Sequence, residues 1–186
     1  MVYEYLAAVG YEIDASVATQ LYTAILTDTG RFRYKSTSPR TMQVAGELIR
    51  AGADSSAICD HVYYELSQST MRLTARVLNT IEFHHKDSVC VLSLTRAMLT
   101  ESGADSSESD GLVDYSLLTG GVDVGVLLKE HDATNTRVSL RSRDGVNVAA
   151  IAARFGGGGH FNASGCSIPK NVTDAKKELL QLLEKI

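Results

Sequence analysis

The chain of 186 residues has no tryptophan, two prolines and three cysteines, and each scarcity excludes something. With proline only at Pro39 and Pro169, no proline-rich linker marks a domain boundary. Cys59, Cys90 and Cys166 are odd in number, widely separated and free of C-x-x-C spacing. That argues against a disulfide framework and for a reducing compartment, with the cytoplasm as the default. Apolar runs such as residues 89–94 are too short to cross a bilayer, and no basic stretch followed by an apolar core stands at the start. Neither a membrane span nor a signal peptide is expected. Positive charge is also short: 18 Lys and Arg against 22 Asp and Glu leave a net charge of −4. A broad basic surface for duplex nucleic acid is therefore not expected, although a small site for one or two phosphates is compatible with it.

What remains reads as helices followed by an α/β unit. Asp14 can cap a helix through residue 26 with Ala18, Leu21, Tyr22 and Ile25 on one face. Ser38-Pro39 is a cap with proline at the first helical position, and Gly52 ends that helix. Asp54 opens another through Leu66, and Ser67 opens a longer one with Met71, Leu78 and Ile81 among its apolar positions. Residues 2–9 are expected to be helical as well. The pattern changes near residues 84–87. Strands are expected at 88–94, 122–130, 136–141 and 163–168, and helices at 96–100, 108–119, 147–155 and 172–185. Residues 102–110 read as a polar surface loop.

Glycine is the one abundant punctuator, and four stand together in Phe155-Gly156-Gly157-Gly158-Gly159-His160. Fixing each glycine in a regular element costs roughly 0.5–1 kcal/mol relative to alanine. Such a run is kept where a Cβ would clash, with positive φ or with something that approaches the backbone closely. Uncovered backbone N–H groups beside a histidine suit an anion. A long helix cap with a flexible loop is the plainer reading. Arg141-Ser142-Arg143 ends an expected strand, where guanidinium groups can grip phosphate bidentately or simply sit in solvent. In Thr27-Asp28-Thr29-Gly30-Arg31-Phe32-Arg33, the carboxylate of Asp28 follows an apolar helix, where the helix dipole opposes it. A divalent metal or an arginine would stabilise it there, and a plain polar turn is the alternative. His84-His85 reads as a solvated helix end, Asp60-His61 lacks a third ligand at metal-site spacing, and Ser164 has no general base at a recognisable spacing.

Three of these motifs resemble one known family. Val138-Ser139-Leu140-Arg141-Ser142, Ile151-Ala152, the run from Phe155 to His160, and Asn162-Ala163-Ser164-Gly165 are similar to the DHHA domain of the DHH/DHHA phosphoesterases, in their RecJ-like nanoRNase and pAp-phosphatase branch. Thr27-Asp28-Thr29-Gly30 resembles the last metal motif of that family's catalytic DHH domain. The resemblance implies an α/β fold, with a helical remnant of a DHH domain over residues 1–86 and a DHHA-type domain with a mixed sheet over 87–186. It implies a metal-dependent phosphoesterase acting on short oligonucleotides (nanoRNA) or 3′-phosphoadenosine 5′-phosphate (pAp). Arg141, Ser142, Gly156, Gly157, Gly158, Gly159, His160 and Asn162 would bind substrate. Asp28 would help hold one of two divalent ions, Mn²⁺ in character. The Asp-His-His triplet that names the family is absent, so the chain is expected to be a fragment without hydrolytic activity of its own. A stand-alone nucleotide or RNA-binding module and a cyclic-dinucleotide phosphodiesterase fragment are the alternatives. The expected partner is a short oligonucleotide or phosphorylated nucleotide, with no membrane, and association into a homodimer is left open.

Overall fold

Side-chain caps start the helices where the sequence places them. In the computed structural model, which describes every residue except Lys35, Asp144, Lys185 and Ile186, the chain forms two compact units, Met1–Leu66 and Ser67–Ile186. The first holds α1 (Val2–Ala8), α2 (Ala15–Asp28), α3 (Pro39–Arg50) and α4 (Ser55–Tyr63). Asp14 accepts from the Val17 N–H, Ser38 and Thr41 cap each other reciprocally, and Asp54 accepts from the Ser56 and Ala57 N–H groups. Each satisfies donors that the first helical turn otherwise leaves unpaired. Ala18, Tyr22 and Leu26 of α2 pack with Val44, Ala45 and Leu48 of α3 and Ile58 of α4. Helix α1 buries none of its residues fully. Helix α4 stops at Tyr63 instead of the expected Leu66, because Ser67 already caps the next helix.

The second unit is built on a six-stranded mixed sheet of order β1-β2-β3-β4-β6-β5. Its strands are β1 (Glu82–His84), β2 (Val89–Leu94), β3 (Val124–Asp132), β4 (Asn135–Ser142), β5 (Gly158–His160) and β6 (Ala163–Ile168). Only β2 and β3 pair in parallel; the other neighbours are antiparallel. The helices are α5 (Gln68–Leu78), α6 (Arg96–Ser102), α7 (Val148–Ala153) and α8 (Val172–Leu183), with 3₁₀ helices at Ser106–Ser109 and Leu112–Leu117. One face of the sheet packs Val126, Leu128, Val138 and Leu140 against Val148 and Ile151 of α7 and Ala175 and Leu179 of α8. On the other face Leu92, Leu94 and Leu127 meet Leu73 and Val77 of α5 and Leu112 and Val113. Being covered on both sides, β2 and β3 are nearly continuous apolar runs.

The mixed α/β class read from the sequence holds, and several details differ. The helix expected at 108–119 is two 3₁₀ helices, because Gly111 sits at φ +84° and interrupts it. The glycine run, expected as a loop, supplies the edge strand β5. His84 ends strand β1 instead of a helix, and His85, Lys86 and Asp87 turn to β2 with φ of 53°, 56° and 68°. Met71 and Ile81, expected on an apolar face, are exposed. Lys185, the expected end of the last helix, lies outside the described residues. The compact units divide before α5, whereas the boundary drawn from sequence at 86–87 lies beyond β1.

One carboxylate ties the first 3₁₀ helix to the start of α5. Glu108 accepts from the hydroxyls of Ser67, Ser69 and Thr70 and from the Asp105 N–H. These donors, the Ser67 hydroxyl foremost, hold its pKa down to about 2, from an ordinary 4.5. A depressed folded-state pKa contributes stability above the unfolded value and loses it as pH falls through the folded one. The stability gap between the wild type and Glu108→Gln is therefore expected to be full at pH 6 and to close between about pH 4.5 and pH 2, read as urea midpoints along a pH series.

Candidate functional site

Three of the four consecutive glycines are required by the fold itself. Gly156, at φ +71°, follows the end of α7, where its N–H donates to Ala153 and that of Gly157 to Ala152. A Cβ on Gly157 would overlap the Gly165 carbonyl and Cys166 on β6. Gly159 lies at φ +143°, and a Cβ there would stand 2.6 Å from the Ala163 carbonyl. Gly158 is different: a Cβ on it would meet nothing within 4 Å. The plainer reading of the run as helix cap and chain packing thus accounts for Gly156, Gly157 and Gly159. At Gly158 the missing side chain leaves open space.

Strand register gathers the candidate residues on one face. His160 of β5 lies opposite Ala163 of β6, which lies opposite Arg141 of β4. In the next row Gly158, Gly165 and Ser139 face one another, and beyond it Ser167 faces Arg137, which faces Lys129 of β3. Directly opposed residues share a face, and so do residues two apart along a strand. Val138 and Leu140 point to the α7–α8 side, so these three rows occupy the opposite one. There the helical cover ends over β3 and β4; Arg137, Ser167, Gly158 and His160 are exposed. The result is a floor of small residues with cations at its margins.

The cations differ in their engagements. Arg141 donates from Nε to Asp114 at 3.2 Å and from Nη1 to the Leu140 carbonyl at 3.1 Å. Two of five guanidinium N–H donors are thereby used, and the remainder stay available for a ligand. Arg143 donates to the carbonyls of Leu117 and Thr119, fastening the segment that carries Asp114. Lys129 pairs with Asp110 at 3.3 Å. Arg137 has no ion pair among the described residues. A groove of about 640 Å³ opens over the third row, with Leu99, Phe155, Gly157, Ser139, Arg137 and Ser167 in its lining. Cys166 also borders it, and burial pushes its thiol up to about 11.

Not every candidate joins this face. Ser142 is buried on the α7 side, where its hydroxyl donates to the Val146 carbonyl at 2.7 Å. Asn162 donates to the Ser142 carbonyl and hydroxyl and to the Arg143 carbonyl, locking the β5–β6 turn against the end of β4. Arg137, Ser139, Lys129 and Ser167 were missed from the sequence. The signal for two of them was available, since Arg137 and Ser139 share the parity of Arg141 along the strand.

In the first unit Asp28 is the exposed last residue of α2. Behind it Gly30, Arg31 and Phe32 all take positive φ, and a Cβ on Gly30 would overlap the Tyr34 ring. The Phe32 N–H donates to the Thr29 hydroxyl, and Arg31 stacks 4.7 Å from the centre of the Tyr63 ring. The motif is a rigid left-handed turn that fixes where the α2 carboxylate ends. Among the described residues no group of three or more His, Cys, Asp or Glu could hold a metal ion. The described residues therefore do not by themselves fit a two-metal centre.

Comparison with known proteins decides the family. The DHHA1 domain profile matches residues 86–186, more than half of the chain. The chain belongs to the DHHA1 family. Among curated proteins it is 35% identical over 168 residues to the bifunctional oligoribonuclease and PAP phosphatase NrnA of Thermus thermophilus, covering 90% of this chain and 50% of that protein. The NrnA of Bacillus subtilis is 30% identical over 159 residues, covering 86% and 50%. An exopolyphosphatase-related protein from Bacteroides fragilis superposes with a TM-score of 0.93 at 31% identity, over 99% of this chain and 55% of that one. These relatives place the DHHA1 chain in the DHH/DHHA branch that holds the NrnA proteins. The chain spans about half the length of the curated relatives it matches.

The four glycines make separable demands. Gly157→Ala and Gly159→Ala are expected to cost at least 1–3 kcal/mol by forced displacement of β6. Gly158→Ala is expected to leave stability unchanged or raised by up to about 1 kcal/mol through the unfolded chain. Chemical denaturation of the three variants checks this, and equal losses at all three would overturn the distinction.

Proposed function

We propose that this DHHA1 chain is the substrate-binding portion of a metal-dependent phosphoesterase acting on short oligoribonucleotides and pAp. The observation that carries the reading is the row His160–Ala163–Arg141, which sets an imidazole and a guanidinium on one face beside Gly158. The names of the NrnA relatives support the substrate class. The guanidinium of Arg141, oriented by Asp114, grips a terminal phosphate. His160 adds a second donor from the edge strand, and the open space at Gly158 lets the phosphate approach the backbone. Because β5 pairs only with β6, one side of its backbone is unpaired and offers further donors.

Hydrolysis needs more than this. A two-metal site bridges its ions with several carboxylate and imidazole ligands, and among the described residues Asp28 is the single candidate. Divalent metal, Mn²⁺ in our reading, thus belongs to an assembly that supplies further ligands. Among the described residues no helix is long and apolar enough to cross a membrane. Our reading of a cytoplasmic protein rests on Cys59, Cys90 and Cys166, which are all free thiols. A nucleotide-binding module without chemistry is the second reading, favoured by the lack of a metal-capable cluster among the described residues.

Calorimetric titration of the chain with pAp tests the site. Arg141→Ala and His160→Ala are each expected to weaken binding about tenfold, the order of one charge-assisted contact. Affinity indifferent to both variants would overturn the proposed site. The chain alone with Mn²⁺ is expected to leave pAp and short oligoribonucleotides intact, and turnover that disappears in Asp28→Ala would overturn that part of the reading.

A further inference from the structure

We infer that the groove around Arg137 is a second nucleotide subsite, which receives the next residues of an oligonucleotide whose terminal phosphate lies at Arg141 and His160. The inference rests on the substrate-binding reading above and adds to it a means of sensing substrate length. The row of Arg141 and the row of Arg137 are four residues apart on β4, roughly 13 Å at the rise of an extended strand. A single phosphate does not span that distance. A chain of nucleotides laid along the same face does.

The groove has the size and chemistry for such an occupant. Its volume of about 640 Å³ falls within the ordinary range for small-molecule sites, about 300–1,000 Å³, and is far larger than a phosphate requires. Leu99 provides apolar surface for a base, with the half-buried Phe155 bordering the groove from the α7–α8 core, and Ser139 and Ser167 provide hydroxyls between the cations. The charges are sorted so that one cation remains uncommitted. Of the two carboxylates that border the groove, Asp110 is taken up by Lys129 and Glu130 accepts from the Arg96 N–H. Arg137 is exposed, lines the groove and has no ion pair among the described residues. An unneutralised guanidinium beside apolar surface and hydroxyls is suited to a backbone phosphate flanked by a nucleoside.

The test compares ligands of different length on the full 186-residue chain, by calorimetric titration with pAp and with a ribotrinucleotide. Arg137→Ala is expected to weaken the trinucleotide about tenfold, the order of one charge-assisted contact, and pAp less than about twofold. Ser167→Glu, which places a negative charge in the same groove, is expected to give the same selective loss. His160→Ala is expected to weaken both ligands. Equal weakening of both ligands by Arg137→Ala, or no weakening of either, overturns the subsite. If pAp binding depends on His160 while trinucleotide binding is indifferent to Arg137, only this inference falls. If the wild-type chain binds neither ligand, the substrate-binding reading falls with it.

Discussion

The closing of β6 onto β4, with the glycine run folded back as β5, is the pairing on which the rest of the second unit depends. It converts a chain that has just left α7 into a sheet edge, and it does so within a few residues. Gly157 and Gly159 permit the approach because a Cβ on either would strike the backbone of β6. The conformational cost of those glycines is offset by the pairing they allow. With the pairing in place, α7 and α8 cover one face and leave the other open over β6, β5 and the Arg137 end of β4. Position on that open face is then dictated by register alone. His160 and Arg141, nineteen residues apart in the chain, end in one row because both oppose Ala163.

A second constraint sets how the main arginine is presented. Gly125 on β3 lets the 3₁₀ helix Leu112–Leu117 lie directly on the sheet, since a Cβ there would collide with the Ser116 side chain. That close approach, reinforced by Arg143 on the Leu117 and Thr119 carbonyls, delivers Asp114 to Arg141. The carboxylate holds the guanidinium in place and also competes with an incoming phosphate. An anion binding there gains a pre-oriented fork and meets a partly neutralised one. Such an arrangement favours ligands that add contacts elsewhere on the face over a lone phosphate ion.

Much of the fold was legible because its signals are local. Asp14, Ser38, Asp54 and Ser67 announce helix starts by chemistry that acts within three residues, and each caps where the sequence placed it. Strand β6 lies where the sequence reading places it, at Ala163–Ile168. The misses are non-local. Strand β1 is three residues long and exists only because β2 lies beside it, and no periodicity accumulates over so short a run. The glycines of β5 have no strand propensity, so their pairing comes from β6 and not from their own side chains. The same distinction applies to the site. His160, Arg141 and Gly158 stood out as residue types, whereas Arg137 and Lys129 acquired meaning only once register set them on the same face. Ser142 and Asn162, attractive as neighbours in sequence, spend their hydrogen bonds on the β4 end and the β5–β6 turn.

Cys166 belongs to the strand that floors the groove, with its side chain packed on the α7–α8 side, and burial keeps the proton on sulfur. With a pKa near 11, only about one molecule in ten thousand carries the reactive thiolate at neutral pH. Peroxides and alkylating agents attack that form, so the strand beneath the groove ages slowly. A sheet face backed by such an unreactive sulfur keeps its shape through oxidative episodes, because neither strand register nor fixed charge is altered by such reagents.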